Sequence, residues 1–439
     1  MRYQLRYVRL SFRNVLRRRK GTLAGPRNPC QTGAPGESGY GGAGASRTGL
    51  DAGMEIRQIT ADERPETMFP LQVYAFDPSP WEPALAERYR QRMQYYRSST
   101  SLIAEEDGQA LAGMGAFPMR QNVRGLVHDM AGIASVATHP SARRRGLVRQ
   151  LLTRLLRDMR DQGCTVSALY PFRPSFYAKF GYVGLPRARK ATFAPEGVSH
   201  LSRVELPGSV ERLSMSDAFE EYDAFTRRLL TEQHGFSVFD DVRTAEFRDD
   251  KLWVALARVD GEVVGAVRYR IDRFGGDLIG DSMLTSGPMG RALLLQFFAR
   301  HVDQVSRVVV KLGVDEVPDL WGTDMAVTTE GLVAYPSNGG PMARILDLES
   351  FEGTEAGPGA VTVEVVDDEL IGGTYRLESR HGELRVKKGL DPAARLTVAG
   401  RGSLRWSGRP YRGALTRVDF GKVSPRRRRP HGASPQGDR

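Results

Sequence analysis

The stretch from Gly132 to Gly184 limits the fold more than any other: GIASVATHPSARRRGLVRQLLTRLLRDMRDQGCTVSALYPFRPSFYAKFGYVG. Its apolar start, Gly132 to Ala137, reads as a strand, and Thr138-His139-Pro140-Ser141 reads as a turn. Leu147, Val148, Leu151, Leu152, Leu155, Leu156 and Met159 then recur at spacings of three and four, which puts them on one face of a helix. Gly163 stops that helix, and Thr165 to Leu169 returns as a second strand alongside the first.

Arg143-Arg144-Arg145-Gly146 stands where the helix begins. A helix N-terminus carries roughly +0.5 of an elementary charge, so cations there are disfavoured unless an anion joins them. Free backbone N–H groups, a glycine and neighbouring arginines make a seat of the kind that grips a pyrophosphate. A solvated charge run is the alternative. The flanking strand, helix and second strand favour the anion seat.

A net charge of +11 suggests nucleic acid or membranes until it is divided along the chain. Residues 1–53 carry +8, residues 399–439 carry +9, and residues 54–398 carry −6. A mildly acidic body suits a cationic small molecule better than a phosphate backbone, so no nucleic-acid partner is expected. The two cysteines, Cys30 and Cys164, give neither a disulfide framework nor metal-ligand spacing, and no metal is expected. Cys164 reads as a small core residue. No apolar run of about 18 residues is present, so no membrane span is expected, and a reducing, cytoplasmic setting fits.

Residues 1–20 form a basic amphipathic stretch, and 21–53 are rich in Gly, Ala, Ser and Pro. Together they read as a basic, disordered extension, with Met54 as the natural start. From Met54 the pattern is a strand, a helix over Arg64 to Ala75, a loop through Trp81, a helix near Pro83 to Tyr95, and a hairpin turning at Asp107-Gly108. From about Val204 the order restarts. A helix spans Ser214 to Leu230, and AxxDG at 257–261 echoes AxxDG at 104–108. A helix from about Met289 to Val302 then precedes the strand Arg307 to Leu312, with no arginine cluster before it. The second copy therefore shares the fold without the anion seat. A third unit opens at Met342-Ala343-Arg344-Ile345-Leu346-Asp347 and continues as short alternating strands to about Ala399. Residues 399–439 read as a basic, largely disordered tail.

RRRGL, preceded by SVATHP and followed by FYAKFGY, resembles the GNAT family of acetyl-coenzyme A-dependent N-acyltransferases. The family pattern is Arg/Gln-x-x-Gly-x-Gly/Ala, and Val148 departs from its last position. FYAKFGY and the order of units resemble the Eis-like, multi-site aminoglycoside acetyltransferases within that family. The resemblance implies an α/β (α+β) chain. Its parts would be a cofactor-binding GNAT domain at 54–203, a second GNAT-like domain at 204–340 without the cofactor motif, and an incomplete sterol-carrier-protein-like domain at 341–398.

The resemblance implies direct acetyl transfer from acetyl-coenzyme A to a primary amine, on an aminoglycoside-like or polyamine-like molecule. Val136, Ala137 and Thr138 would bond the pantetheine arm. Arg144, Arg145, Gly146, Leu147, Val148 and Arg149 would line the pyrophosphate loop. Phe172 and Arg173 would flank the thiol end, Tyr177 would donate a proton to the leaving thiolate, and the C-terminal carboxylate, here Arg439, would accept one from the amine. The resemblance also implies a homohexamer. From spacing alone, Tyr177 reads as an aromatic packing beside Phe176, Phe180 and Tyr182. Asp77 and Glu82 either attract a cationic substrate or cap helices, and His128 and His139 read as surface or turn residues. The competing function is lipid or small-ligand binding by the third unit without catalysis.

Overall fold

The computed structural model describes residues 53–313, 316–322, 324–331, 333, 339–389 and 396–399. The basic extension up to residue 52, Cys30, the tail beyond residue 399 and Arg439 lie outside these residues.

The first unit runs β1 (Met54–Ile59), α1 (Arg64–Phe76), α2 (Pro83–Gln91), β2 (Thr100–Glu106), β3 (Gln109–Val123), β4 (Leu126–Thr138), α3 (Leu147–Asp161), β5 (Val166–Leu169), α4 (Pro174–Tyr177), β6 (Val183–Gly184) and β7 (Arg189–Phe193). Asp107 and Gly108 close the β2–β3 hairpin with φ of +50° and +75°, the left-handed pair that matches strand twist. The apolar face of α3 lies as its spacing predicts. Leu151, Leu152 and Leu155 are wholly buried, and Val148 is half-buried. They cover one face of the sheet through Leu102, Ala104, Ala112, Met114 and Ile133. Helices α1 and α2 cover the other face with Phe69, Val73, Leu85 and Tyr89.

The second unit repeats this order. It runs β8 (Ser209–Ser214), α5 (Met215–Glu232), β9 (Ser237–Phe239), α6 (Asp241–Thr244), β10 (Trp253–Val259), β11 (Glu262–Ile271), β12 (Asp277–Thr285), α7 (Pro288–Ala299), β13 (Arg307–Leu312) and β14 (Val327–Glu330). Ser214 caps α5 by accepting from the Asp217 N–H at 3.2 Å. Asp260 and Gly261 repeat the left-handed turn at φ of +50° and +83°. In both units a helix joins two parallel strands, β4 to β5 and β12 to β13.

The third unit contributes β15 (Met342–Ile345), β16 (Ala360–Val366), β17 (Gly373–Arg380), β18 (Glu383–Lys388) and β19 (Leu396–Ala399). The last four form one sheet in the order β18-β17-β16-β19. Val363, Val365, Tyr375, Leu377, Leu384 and Val386 line its apolar face. That face shares one core with Phe69, Leu85, Met93 and Phe117, so the third unit packs on the α1–α2 side of the first.

The sheets do not follow the units read along the sequence. β15, read as the opening of the third unit, instead lies between β5 and β6 in the first sheet, paired with each. β5 is four residues long, and β15 satisfies its outer edge. β7 follows the first unit in sequence but joins the second sheet beside β13 and β14. β9 of the second unit pairs with β3 at Met119 to Gln121, beyond the end of β2. Strand pairing follows which edges lie open in space, which hydrophobic spacing along the chain does not encode.

One buried ion pair ties the third unit to the first. Arg344 on β15 grips both carboxylate oxygens of Asp368 at 3.0 and 3.1 Å and also donates to the Phe180 carbonyl. Both side chains are almost fully buried, 6% and 5% exposed. Removing the acid strands a buried guanidinium. Asp368→Ala is therefore expected to lower unfolding stability by about 3 kcal/mol in a denaturant titration.

Candidate active site

The two parallel strands of the first unit part beside Val136, Ala137 and Thr138, the residues that the resemblance assigns to the pantetheine arm. β4 and β5 pair from Met130↔Val166 to Ile133↔Leu169, and there β5 ends. β4 continues to Thr138 and stays paired with β3 through Ala137↔Gly113 and Thr138↔Ala112. Between Gly113 and Gly115 the register slips, and Ser135 takes a φ of +62°. An extra residue in one strand twists it away from its partner. The pairing with β5 therefore does not reach Val136, Ala137 or Thr138, and their backbone groups on that side can accept an extended, amide-bearing ligand. Ser135 was not singled out in the sequence, since a serine carries no signal for a left-handed backbone.

The turn after β4 is fixed at several points. The His139 N–H donates to the Leu111 carbonyl at 2.8 Å, and His139 Nδ1 lies 2.7 Å from Ser141 Oγ. Ala142 is buried beneath the turn. Arg144 and Gly146 are both left-handed, with φ of +68° and +84°. Gly146 provides no side-chain cap for α3, so the first N–H groups of that helix point out uncapped. Arg143, Arg144, Gly146 and Arg149 are exposed around them, while Leu147 is buried and anchors the helix start. This places backbone donors and three guanidiniums at one helix N-terminus, which suits a pyrophosphate.

Arg145 is placed differently from its neighbours. Its guanidinium makes a forked pair with Glu106, at 2.7 Å to Oε1 and 3.0 Å to Oε2. The Arg145 hydrogen bond holds the Glu106 carboxyl below its usual range. The side chain expected to meet the anion instead fastens the turn to the end of β2, and its backbone remains at the helix start.

Beyond β5 the chain brings its aromatics together. Phe172 is exposed and lies 5.5 Å from the rings of both Phe176 and Tyr177. Arg173 is exposed and opens α4. Tyr177 is 2% exposed and sits in the same apolar cluster as Ile133, Leu147 and Leu169, around the point where the strands part. Burial, with a smaller contribution from Tyr182, pushes its phenol well above the ordinary tyrosine range. Tyr182 is bound differently: its hydroxyl lies 2.6 Å from Ser167 Oγ, which donates to the Ala131 carbonyl. Tyr177 therefore packs against Phe176 and Tyr182, as its spacing suggested, and carries a phenol that stays protonated at neutral pH.

On the α1 side, Tyr74, Phe76 and Trp81 are exposed close to Asp77 and Glu82. Glu82 precedes α2 and Asp77 follows α1, yet neither side chain makes a capping bond. Burial raises the Asp77 carboxyl and Arg88 opposes the rise. His128 corrects an expectation: it is 6% exposed and stacks 4.8 Å from Phe351 of the third unit, which covers the start of β4. The Cys164 thiol, half-buried between α3 and β5, is pushed up to about 11 by burial and Asp129, so it is no ready nucleophile. Among the described residues no group of three or more His, Cys, Asp or Glu is arranged to hold a metal. No described helix is long and apolar enough to cross a membrane.

The second unit has the same strand parting without the seat. β12 and β13 last pair at Gly280↔Val310. The next residue on each strand, Asp281 and Lys311, closes the gap with an ion pair of 2.6 Å, and Arg268 also binds Asp281. Burial would raise the Asp281 carboxyl, but Arg268 and Lys311 outweigh it and hold it below the usual range. Only Ser286 and Gly287 separate β12 from α7, and Pro288 at its start has no N–H to offer.

Residues 55–184 match the family model described as an acetyltransferase (GNAT) domain. An uncharacterized N-acetyltransferase of Streptomyces coelicolor is 27% identical over 284 residues, 59% of this chain and 66% of that protein. The N-acetyltransferase Eis of Mycobacterium tuberculosis is 38% identical over 77 residues, 17% of this chain and 19% of that protein. The chain thus spans no more than two thirds of the length of these relatives. Among solved structures, a probable N-acyltransferase of Enterococcus faecalis superposes with a TM-score of 0.64 at 22% identity, over 79% of this chain and 88% of that one. Eis1 of Mycobacterium abscessus superposes at 0.63 and 18% identity, over 79% and 87%. These two likenesses show the fold.

The left-handed backbone at Gly146 is the part of the seat that a single methyl group tests. A Cβ there would meet no atom within 4 Å, so the penalty would be conformational alone. Gly146→Ala is expected to lose about 1 kcal/mol of stability by thermal unfolding, and to bind coenzyme A more weakly in a calorimetric titration.

Proposed function

We propose that this chain, a member of the GNAT acetyltransferase family through its domain at residues 55–184, moves an acetyl group from acetyl-coenzyme A to a primary amine of a cationic small molecule. The observation that carries the reading is the parting of β4 from β5 beside an uncapped, arginine-rich helix start. The pantetheine arm would lie along Val136, Ala137 and Thr138. The pyrophosphate would meet the N–H groups at Gly146, Leu147 and Val148, with Arg144 and Arg149 at its sides. Phe172 and Arg173 would border the thioester.

The amine must be neutral to attack, because its lone pair forms the new N–C bond. As that bond forms, the C–S bond breaks and its electron pair leaves on sulfur. The proton released from nitrogen goes to water. Tyr177 donates a proton to the leaving thiolate, and solvent restores it. A phenol raised by burial keeps that proton to high pH, and it also favours hydrogen bonding to the developing thiolate over early proton loss.

The acceptor class draws support from the exposed aromatics Tyr74, Phe76 and Trp81 beside Asp77 and Glu82, since ring faces and carboxylates both attract ammonium groups. An aminoglycoside-like or polyamine-like amine fits that surface. The proposed enzyme is the homohexamer that the family resemblance implied, in the cytoplasmic setting read from the cysteines. Lipid binding by the third unit has less support, because its apolar sheet face is buried against the first unit.

Thiol release from acetyl-coenzyme A, followed with a panel of aminoglycosides and polyamines, tests the reading. Turnover with at least one of them is expected; no turnover together with no coenzyme A binding would sink it. Tyr177→Phe is expected to lower kcat by about a hundredfold with little change in KM. Because the phenol lies above its ordinary range, the wild-type rate should rise as the amine loses its proton and show no fall from Tyr177 ionisation below about pH 10. An unchanged rate in the Phe variant would remove Tyr177 from the mechanism.

A further inference from the structure

The residue that opens the strands, Ser135, is held from outside its own sheet. Arg64, the first residue of α1, is 1% exposed and lies across β2, β3 and β4. Its Nη1 donates to Ser101 Oγ on β2, and its Nη2 donates to Ser135 Oγ on β4 at 3.4 Å. Gly115 on β3 lies between them, paired with Ser101 on one side and with Ala134, next to the bulge, on the other. A Cβ at Gly115 would sit 3.5 Å from Nη1, so a longer side chain would take the place of the guanidinium. The Tyr96 ring lies beneath, 4.5 Å from the guanidinium carbon. Among the described residues no carboxylate pairs with Arg64, and its Nε has no hydrogen-bond partner.

A buried guanidinium without a carboxylate is costly; Arg64 donates to two serine hydroxyls and also bonds the Tyr89 hydroxyl. One of those serines holds the left-handed backbone that an L-residue disfavours. We infer that Arg64 is a positioning residue for the cofactor: it pins Ser135 in the bulge and thereby keeps β4 parted from β5 along Val136 to Thr138. The inference rests on the proposed coenzyme A wedge. It concerns how that wedge is held open and assigns Arg64 no contact with the reacting atoms.

Alanine and glycine at position 135 separate this role from a simple lost hydrogen bond. Both lack the hydroxyl, but only glycine accepts the left-handed backbone without strain. Coenzyme A is titrated by calorimetry into the full chain, with thermal midpoints to confirm folding. Ser135→Ala is expected to weaken binding about tenfold, and Ser135→Gly to recover most of that loss. In turnover, the alanine variant should raise KM for acetyl-coenzyme A and leave kcat at saturation near the wild-type value. Arg64→Lys should weaken binding when Ser135 is present and cost nothing further in the Ser135→Gly background. Equal affinities for the alanine variant and wild type, or equal losses for alanine and glycine, would overturn the inference while the cofactor reading stands. A wild-type chain that binds no coenzyme A overturns both. Should Arg64→Lys fail to fold, the alanine–glycine pair still decides.

Discussion

Two parallel strands cannot part without leaving backbone donors and acceptors unpaired, and the rest of the first unit is arranged around that constraint. Parallel β4 and β5 share four register pairs before they separate. The unpaired length of β4 would be a liability in a purely structural sheet. Here it is bordered by a turn held through His139, a helix start left uncapped, and an aromatic loop built on α4. An amide-rich ligand would satisfy what the sheet leaves open, so binding and backbone pairing become the same problem.

The surrounding units bear on that opening from three directions. β15 closes the outer edge of β5, and Arg344 fastens the carbonyl at the end of the aromatic loop to Asp368. The four-stranded sheet of the third unit shares a core with α1 and α2 and buries His128 at the far end of β4. β9 pairs with the outer end of β3. Strands of the second and third units, β9 and β15, therefore belong to the first unit's sheet, and short β5 depends on β15 for its outer edge.

The second unit shows how little separates an open strand parting from a closed joint. Its strands part in the same way, but Asp281 and Lys311 occupy the first positions past the split and neutralise each other there. In the first unit the corresponding residues are Ala134 and Tyr170, which leave the gap without an ion pair. A helix that begins with proline completes the difference.

Much of this was legible in the residues themselves. The apolar face of α3, the turns at Asp107-Gly108 and Asp260-Gly261, the repeat of two units and the arginines before a helix are local patterns, set by covalent geometry and hydrophobic spacing. From these the sequence determined the strand–turn–helix–strand core and the arginines gathered at its helix start. It did not determine that Arg145 turns away to Glu106, that Ser135 adopts a left-handed backbone, that His128 is buried, or that β7, β9 and β15 join sheets outside their own units. Those outcomes depend on which edges, charges and faces meet across tens to hundreds of residues. Only the tertiary structure decides such meetings, because a side chain's partner is set by proximity in space and the linear pattern carries no record of it.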